Sequence, residues 1–170
     1  KLVLENATMP VIASAGGNCH IYVDSDCDLD MACKVIVNAK VQRPTVCNAL
    51  EQLLINSDIL PVAVPKIFAA LEKESVTIKC DEECAKYYKN VQIASEEDYF
   101  EEHQCLLISV KSIANIDDAI AHINKHSTNH SEAIISNNAE NIKKFTTRVD
   151  SGCLYVNAST RFTDGFEFGF

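Results

Sequence analysis

The stretch Asn38 to Ile55, NAKVQRPTVCNALEQLLI, holds the residues best suited to covalent chemistry. A cysteine thiolate is a strong nucleophile, and Cys47 lies where backbone signals cluster. Gln42-Arg43-Pro44 leads into Thr45-Val46-Cys47. Pro44 suits the first turn of a helix, which predicts a helix start near Thr45. Asn48 with Glu51 three residues on offers a second start, of capping-box type. Either start sets Cys47 beside unpaired backbone N–H groups and the positive end of a helix dipole, with Arg43 close by, a setting that favours the thiolate. A lone cysteine near a helix start more often packs as a small buried residue, so position alone favours that reading over the nucleophile.

A second cluster of polar donors follows Val156, where VNASTRFTDG supplies Asn157, Ser159, Thr160 and Arg161. Ligands of open α/β sheets gather beyond the carboxyl ends of strands. An Arg there suits a carboxylate or phosphate, which its planar fork binds bidentately; the alternative is a solvated loop with a surface ion pair. His122, His126 and His130 recur every four residues, but Ser127-Thr128-Asn129 interrupts the helix they would need, so no metal site is expected. Gly16-Gly17 lacks a phosphate-loop pattern and reads as a tight turn before a strand.

The elements that must position these residues alternate between two periods. Cys19 to Val23 reads as a buried strand, and Leu29, Ala32, Cys33 and Ile36 as a helical face behind the acidic run Asp24 to Asp30. Glu51 to Ile55 fits helix or strand. Ile59 to Leu71 reads as a helix, Val76 to Lys79 as a short strand, and the charged run Asp81 to Glu102 as a surface excursion. Leu106 to Val110 is an expected strand, and Asn115 caps a helix with Ile116, Ala119, Ile120 and Ile123 on its face. Ala133 to Ser136 is the next strand. Asn138 then opens a helix carrying Ile142, Phe145 and Val149, Gly152 stands as its terminal glycine, and Cys153 to Val156 is the last strand. This alternation predicts an α/β fold, a largely parallel sheet flanked by helices, with residues 1–170 as one domain.

The chain has 170 residues, 47% of them hydrophobic, and a net charge of -9, which argues against nucleic acid and anionic membranes as partners. Eight cysteines without a CxxC pair, in a chain with long regular elements, read as reduced thiols of a cytoplasmic protein. The chain opens without Met, inside a mixed segment, and is expected to be a piece of something longer.

Several stretches together resemble the γ-glutamyl phosphate reductase family, also called glutamate-5-semialdehyde dehydrogenase, within the aldehyde dehydrogenase superfamily. They are Gly17-Asn18-Cys19-His20-Ile21-Tyr22-Val23-Asp24, then Asn38-Ala39-Lys40 with Gln42-Arg43-Pro44 and Cys47-Asn48-Ala49. Further on come Asp117 to Ile123 (DDAIAHI), His130-Ser131-Glu132 and Val156 to Gly165. Their order matches the family and covers almost the whole chain.

The resemblance implies an aldehyde dehydrogenase-type catalytic domain, without the N-terminal domain that supplies most of the cofactor site. It places Cys47 at the family's nucleophile and Glu102 where the superfamily sets a carboxylate near the nicotinamide ribose. The implied substrate is L-glutamyl 5-phosphate, the implied cofactor NADPH, and the implied setting proline biosynthesis. Arg43, Asn157, Ser159, Thr160 and Arg161 are the substrate-binding candidates, with Arg161 on the α-carboxylate and Arg43 nearer the departing phosphate. Hydrolytic relatives carry a Glu shortly before the double glycine; Ser14 stands nearest that position here, which favours a reductase over a hydrolytic enzyme. A glutamate kinase, fused or separate, is an implied partner, and the full-length parent an implied homo-oligomer. The family continues beyond Phe168-Gly169, and Phe166 and Phe170 depart from its pattern. The isolated 170 residues are expected to fold without turning over, and a non-catalytic binding domain is the alternative.

Overall fold

Seven strands form one sheet in the order β4-β3-β5-β2-β1-β6-β7, and every neighbouring pair is parallel. The structure, a computed structural model, describes residues 5–10, 16–163 and 167. In chain order the strands are β1 (Cys19–Val23), β2 (Leu50–Asn56), β3 (Thr77–Cys80), β4 (Gln92–Ile93), β5 (Leu107–Ile113), β6 (Ser131–Ile135) and β7 (Cys153–Val156). The helices are α1 (Leu29–Val41), α2 (Leu60–Lys73), the single turn α3 (Glu82–Ala85), α4 (Ile116–His126) and α5 (Ala139–Arg148). Ser14, Phe166, Phe170 and the Phe168-Gly169 pair fall outside the described residues.

The alternation of side chains along each strand divides the core in two. Ile21, Val23, Leu53 and Ile55 pack with Ile36 of α1 and Phe68 of α2 on one face. Tyr22, Leu54 and Ile134 pack with Ile120 and Ile123 of α4 and Phe145 of α5 on the other. Asp28, Asn115 and Asn138 each cap the helix that follows by accepting two backbone N–H bonds.

Three local expectations give way. No helix starts at Thr45 or Asn48: Pro44 lies beyond the end of α1, and residues 42–49 form turns that feed β2. The capping box does not form because the Glu51 carboxylate takes Lys40 Nζ at 2.8 Å instead, with both side chains fully buried. Leu50 to Asn56 is buried at every position, as a central parallel strand requires, and such a run mimics helical spacing. Gly152 does not end α5, whose C-cap is the extended Val149; the Gly152 N–H instead donates to the Asn129 carbonyl at 2.9 Å. The run Asp81 to Glu102 is only partly a surface excursion. Asp98 and Tyr99 are buried, Asp98 by pairing with Lys79 at 2.5 Å and Tyr99 by packing edge-on to His122.

His122 and His126 stack at 4.0 Å inside the fold, while His130 sits apart at the approach to β6. Burial holds His122 down to about 2, helped by His20, His126, Lys111 and Lys125 around it. The unfolded chain therefore takes up a proton near 6.5 that the folded chain refuses. This contribution is complete above pH 6.5 and is lost as pH falls below it, by at most about 1.4 kcal/mol per pH unit. Glu51, raised by burial to about 7, acts in the opposite direction between there and its ordinary 4.5. Thermal melts from pH 7.5 down to 4.5 should show the wild type losing about 5 °C more than His122→Leu. Parallel curves would remove the histidine from the account.

Candidate active site

Cys47 and Gly16-Gly17 both lie just ahead of strands, at the amino ends of the adjacent β2 and β1, where Cys19 faces Leu50. The site is thus built at the amino edge of the sheet, not beyond the carboxyl ends. At the carboxyl ends of β1 and β6 a closed polar network fills the space. Asp24 accepts from Ser136 Oγ at 2.7 Å and Asn141 Nδ2 at 2.8 Å, and Asn56 Nδ2 donates to the Tyr22 hydroxyl at 3.1 Å.

Cys47 is exposed in a turn held by the Ala49 N–H donating to the Val46 carbonyl at 3.0 Å. Its carbonyl accepts from the buried Cys19 thiol at 3.2 Å. Beneath it runs the Gly17 backbone, where a Cβ would overlap the Cys47 carbonyl oxygen and stand 2.7 Å from its Cα. The double glycine is therefore a close-approach element and not merely a turn. Arg43 is exposed on the same turn segment, four residues ahead of Cys47.

Glu102 arrives from the other side. Its approach is pinned by Gln52 Nε2, which donates to the carbonyls of Asp98 at 3.0 Å and Glu101 at 3.2 Å, and by Asn18 Nδ2, which donates to the Tyr99 carbonyl at 3.0 Å. The Glu102 carboxylate lies against Gly16, whose missing Cβ would overlap Oε2 and come within 3.1 Å of Cδ. A side-chain-free strip of backbone thus runs from Glu102 to the Cys47 turn. A carboxylate bordering such a strip fits the ribose hydroxyls and flat ring of a nicotinamide nucleotide.

The segment after β7 folds back to this same edge. Asn157, with φ of 54°, spends its amide on Ser136, donating to the carbonyl and accepting from the N–H, each at 3.0 Å. It shapes the turn with its amide oxygen and one of its two amide N–H donors. Ser159 caps a 3-10 turn by accepting from the Arg161 N–H at 3.2 Å. Thr160 is fully buried and donates to the Asn48 carbonyl at 2.7 Å. Arg161 Nη1 donates to Asn48 Oδ1, while Asn48 Nδ2 donates to the Thr163 carbonyl at 2.8 Å. Arg161 Nε is buried without a partner among the described residues. Of the substrate-binding candidates, Arg161, Ser159 and Thr160 converge on the Cys47 turn, Arg43 belongs to it, and Asn157 faces the opposite edge.

Sequence reasoning missed Asn18, Cys19 and the glycine pair as builders of this site. Their roles are contacts between loops distant in sequence, which spacing does not encode. Among the described residues no group of three or more His, Cys, Asp or Glu is arranged to hold a metal ion, and no helix is long and apolar enough to cross a membrane.

The aldehyde dehydrogenase family model matches residues 96–169. A γ-glutamyl phosphate reductase of Clostridium beijerinckii is 51% identical over 170 residues, all of this chain and 41% of that protein. That of Carboxydothermus hydrogenoformans is 49% identical over the same share. The crystal structure of γ-glutamyl phosphate reductase from Thermotoga maritima superposes with a TM-score of 0.94 at 46% identity, over 99% of this chain and 41% of that one. Lactaldehyde dehydrogenase of Escherichia coli, at 18% identity and a TM-score of 0.71 over 88% of this chain and 40% of its own, shares the fold. The chain spans about two-fifths of the length of the curated relatives it matches. Along its whole length it is a relative of the γ-glutamyl phosphate reductases, with the fold of an aldehyde dehydrogenase-type domain.

Proposed function

We propose that this chain is the nucleophile-bearing domain of a reductase that converts L-glutamyl 5-phosphate to L-glutamate 5-semialdehyde with NADPH, a step of proline biosynthesis in the cytoplasm. The observation that carries the reading is the convergence of Gly17, Asn48 and Arg161 on an exposed Cys47 at one sheet edge. A glutamate kinase partner and a homo-oligomeric parent accompany this proposal.

The Cys47 sulfur attacks the acyl carbon of the substrate, and the thiol proton leaves to solvent. A C–S bond forms, the C–O bond to phosphate breaks, and phosphate departs with its electron pair, leaving a thioester. Backbone N–H groups around Cys47 would stabilise the oxyanion. Arg43, four residues ahead of Cys47, is the cation for the departing phosphate in this reading, and Arg161 the one for the distal carboxylate, with Ser159 shaping its loop. Glu102 would hold the nicotinamide ribose, and a bound NADPH supplies the hydride that the thioester needs. The Gly16-Gly17 strip keeps side chains out of that approach.

Acylation needs no cofactor, so it tests the reading directly. Incubation with an acyl phosphate should add one acyl group to Cys47, detected by intact mass and removed by hydroxylamine. Acylation on another cysteine, or none, would sink the assignment. A charge-assisted contact is worth about 1.5–3 kcal/mol, so Arg161→Ala should raise the half-saturating concentration of a carboxylate-bearing acyl phosphate by roughly ten- to hundredfold. Arg161→Lys should recover only part, because an ammonium lacks the fork. Unchanged saturation in a variant that melts normally would place the carboxylate elsewhere.

A further inference from the structure

Asn48 follows the nucleophile directly and is 6% exposed, yet none of its side-chain atoms serves its own turn. Its Oδ1 takes Arg161 Nη1, its Nδ2 gives to the Thr163 carbonyl at 2.8 Å, and its carbonyl takes the Thr160 hydroxyl at 2.7 Å. One buried residue is therefore fastened at three points to the segment 160–163 that carries the cation. The residue before it is fixed separately, by the Cys19 thiol and the Gly17 backbone. Arg161 itself is only half spent. Its guanidinium reaches Asn48 through Nη1, while Nε is buried and without a partner among the described residues. A guanidinium has five donors in a rigid plane, so holding an amide through Nη1 leaves other donors for an acid, and a shift of the plane moves both.

We propose that Asn48 is a positioning residue that couples carboxylate recognition at Arg161 to the placement of the Cys47 turn, so that the thiol is best aligned for acyl phosphates that carry a distal carboxylate. This rests on Cys47 as acyl acceptor and Arg161 as anchor. The coupling makes chain-length and charge specificity a property of the acylation rate as well as of binding. A carboxylate docked on Arg161 sets the plane of the guanidinium, and Asn48 passes that setting to the residue beside the nucleophile. Placement errors of about 1 Å at a reacting atom cost roughly a hundredfold in rate, so a small shift of this turn is enough.

The test uses the 170-residue chain, with glutaryl phosphate as the carboxylate-bearing probe and butanoyl phosphate as the probe lacking it. Acylation of Cys47 is followed by intact mass over a range of probe concentrations, giving a maximal rate and a half-saturation for each. In the wild type the maximal rate with glutaryl phosphate should exceed that with butanoyl phosphate by about tenfold or more. Asn48→Ala should lower the glutaryl maximal rate about tenfold with its half-saturation within about twofold, and slow butanoyl acylation much less, so that the preference between the two probes is lost. Asn48→Asp keeps an acceptor for Arg161, loses the donation to Thr163 and adds a negative charge beside the anchor, so the glutaryl half-saturation should rise while most of the maximal rate is retained, which keeps the test open if Asn48→Ala folds poorly. If Asn48→Ala slows both probes equally, Asn48 only braces the turn: the coupling is wrong while the nucleophile and anchor stand. If the wild type shows no preference between the probes, the coupling falls together with the Arg161 anchor. Acylation away from Cys47 overturns the underlying function as well.

Discussion

Cys47→Ala should abolish acyl transfer from an acyl phosphate, by at least about 10⁴-fold, while shifting the melting temperature by no more than about 1–2 °C. The two halves of this expectation have separate causes. Among the described residues the other thiol at the site, Cys19, is buried and donates to the Cys47 carbonyl, so loss of the Cys47 sulfur removes the pathway and not merely a contact. The side chain is exposed, and the turn is held through the Cys47 carbonyl and the Gly17 backbone, which alanine keeps. The other thiols are poor substitutes. Burial pushes Cys19 well above the ordinary thiol value, Cys27 up to about 11 and Cys80 up to about 12, and raises Cys84 further. Brief treatment with iodoacetamide at neutral pH should therefore label Cys47 and the exposed Cys105, and leave Cys19 and Cys84 unlabelled. Prior acylation should protect Cys47 alone. Residual acyl transfer in Cys47→Ala, or protection that appears on Cys105, would move the nucleophile.

What the sequence revealed of this site, and what it hid, follows from the range of the interactions. Alternating apolar runs and Asx caps are local, so the parallel sheet, the caps at Asn115 and Asn138 and the apolar face of α4 were readable without coordinates. Glu51 to Ile55 was ambiguous because the strand that holds it, Leu50–Asn56, is buried on both faces and loses its alternation. Neither helix start near Cys47 formed: residues 42–49 are turns that feed β2, and Glu51, the partner a cap at Asn48 needs, pairs with Lys40 instead. Long-range contacts also hid the donors after β7. Their chemistry was legible, but their location was not, because the segment doubles back and meets Asn48 more than a hundred residues earlier in the chain. The resemblance offered Cys47 as nucleophile and Glu102 as a cofactor-side carboxylate; the glycine pair that lies against both was readable only as a turn.

That glycine pair carries the other large effect. Gly17→Ala should slow acylation of Cys47 by about a hundredfold or more and lower the melting temperature by about 3–10 °C. The added methyl would occupy the position of the Cys47 carbonyl oxygen and approach its Cα to 2.7 Å. These are backbone atoms, so no rotamer change relieves the overlap; the turn or the start of β1 must move. Neither is free to do so. Asn18, the next residue, is tied by its N–H to Thr128 Oγ1 at 2.9 Å and by its side chain to the carbonyls of Tyr99 and His126. On the other side, Asn48 is fastened to the segment 160–163. The strain therefore falls on Cys47 itself, in the part of the turn that must present both the sulfur and the oxyanion donors. Gly16→Ala is the matched control. Its methyl meets only the end of the Glu102 side chain, which can swing aside, so acylation should stay within about threefold of wild type and stability should hardly change. The pair separates close approach from a general need for glycine. If Gly16→Ala and Gly17→Ala acylate alike, the backbone contact beneath Cys47 is not what sets the nucleophile.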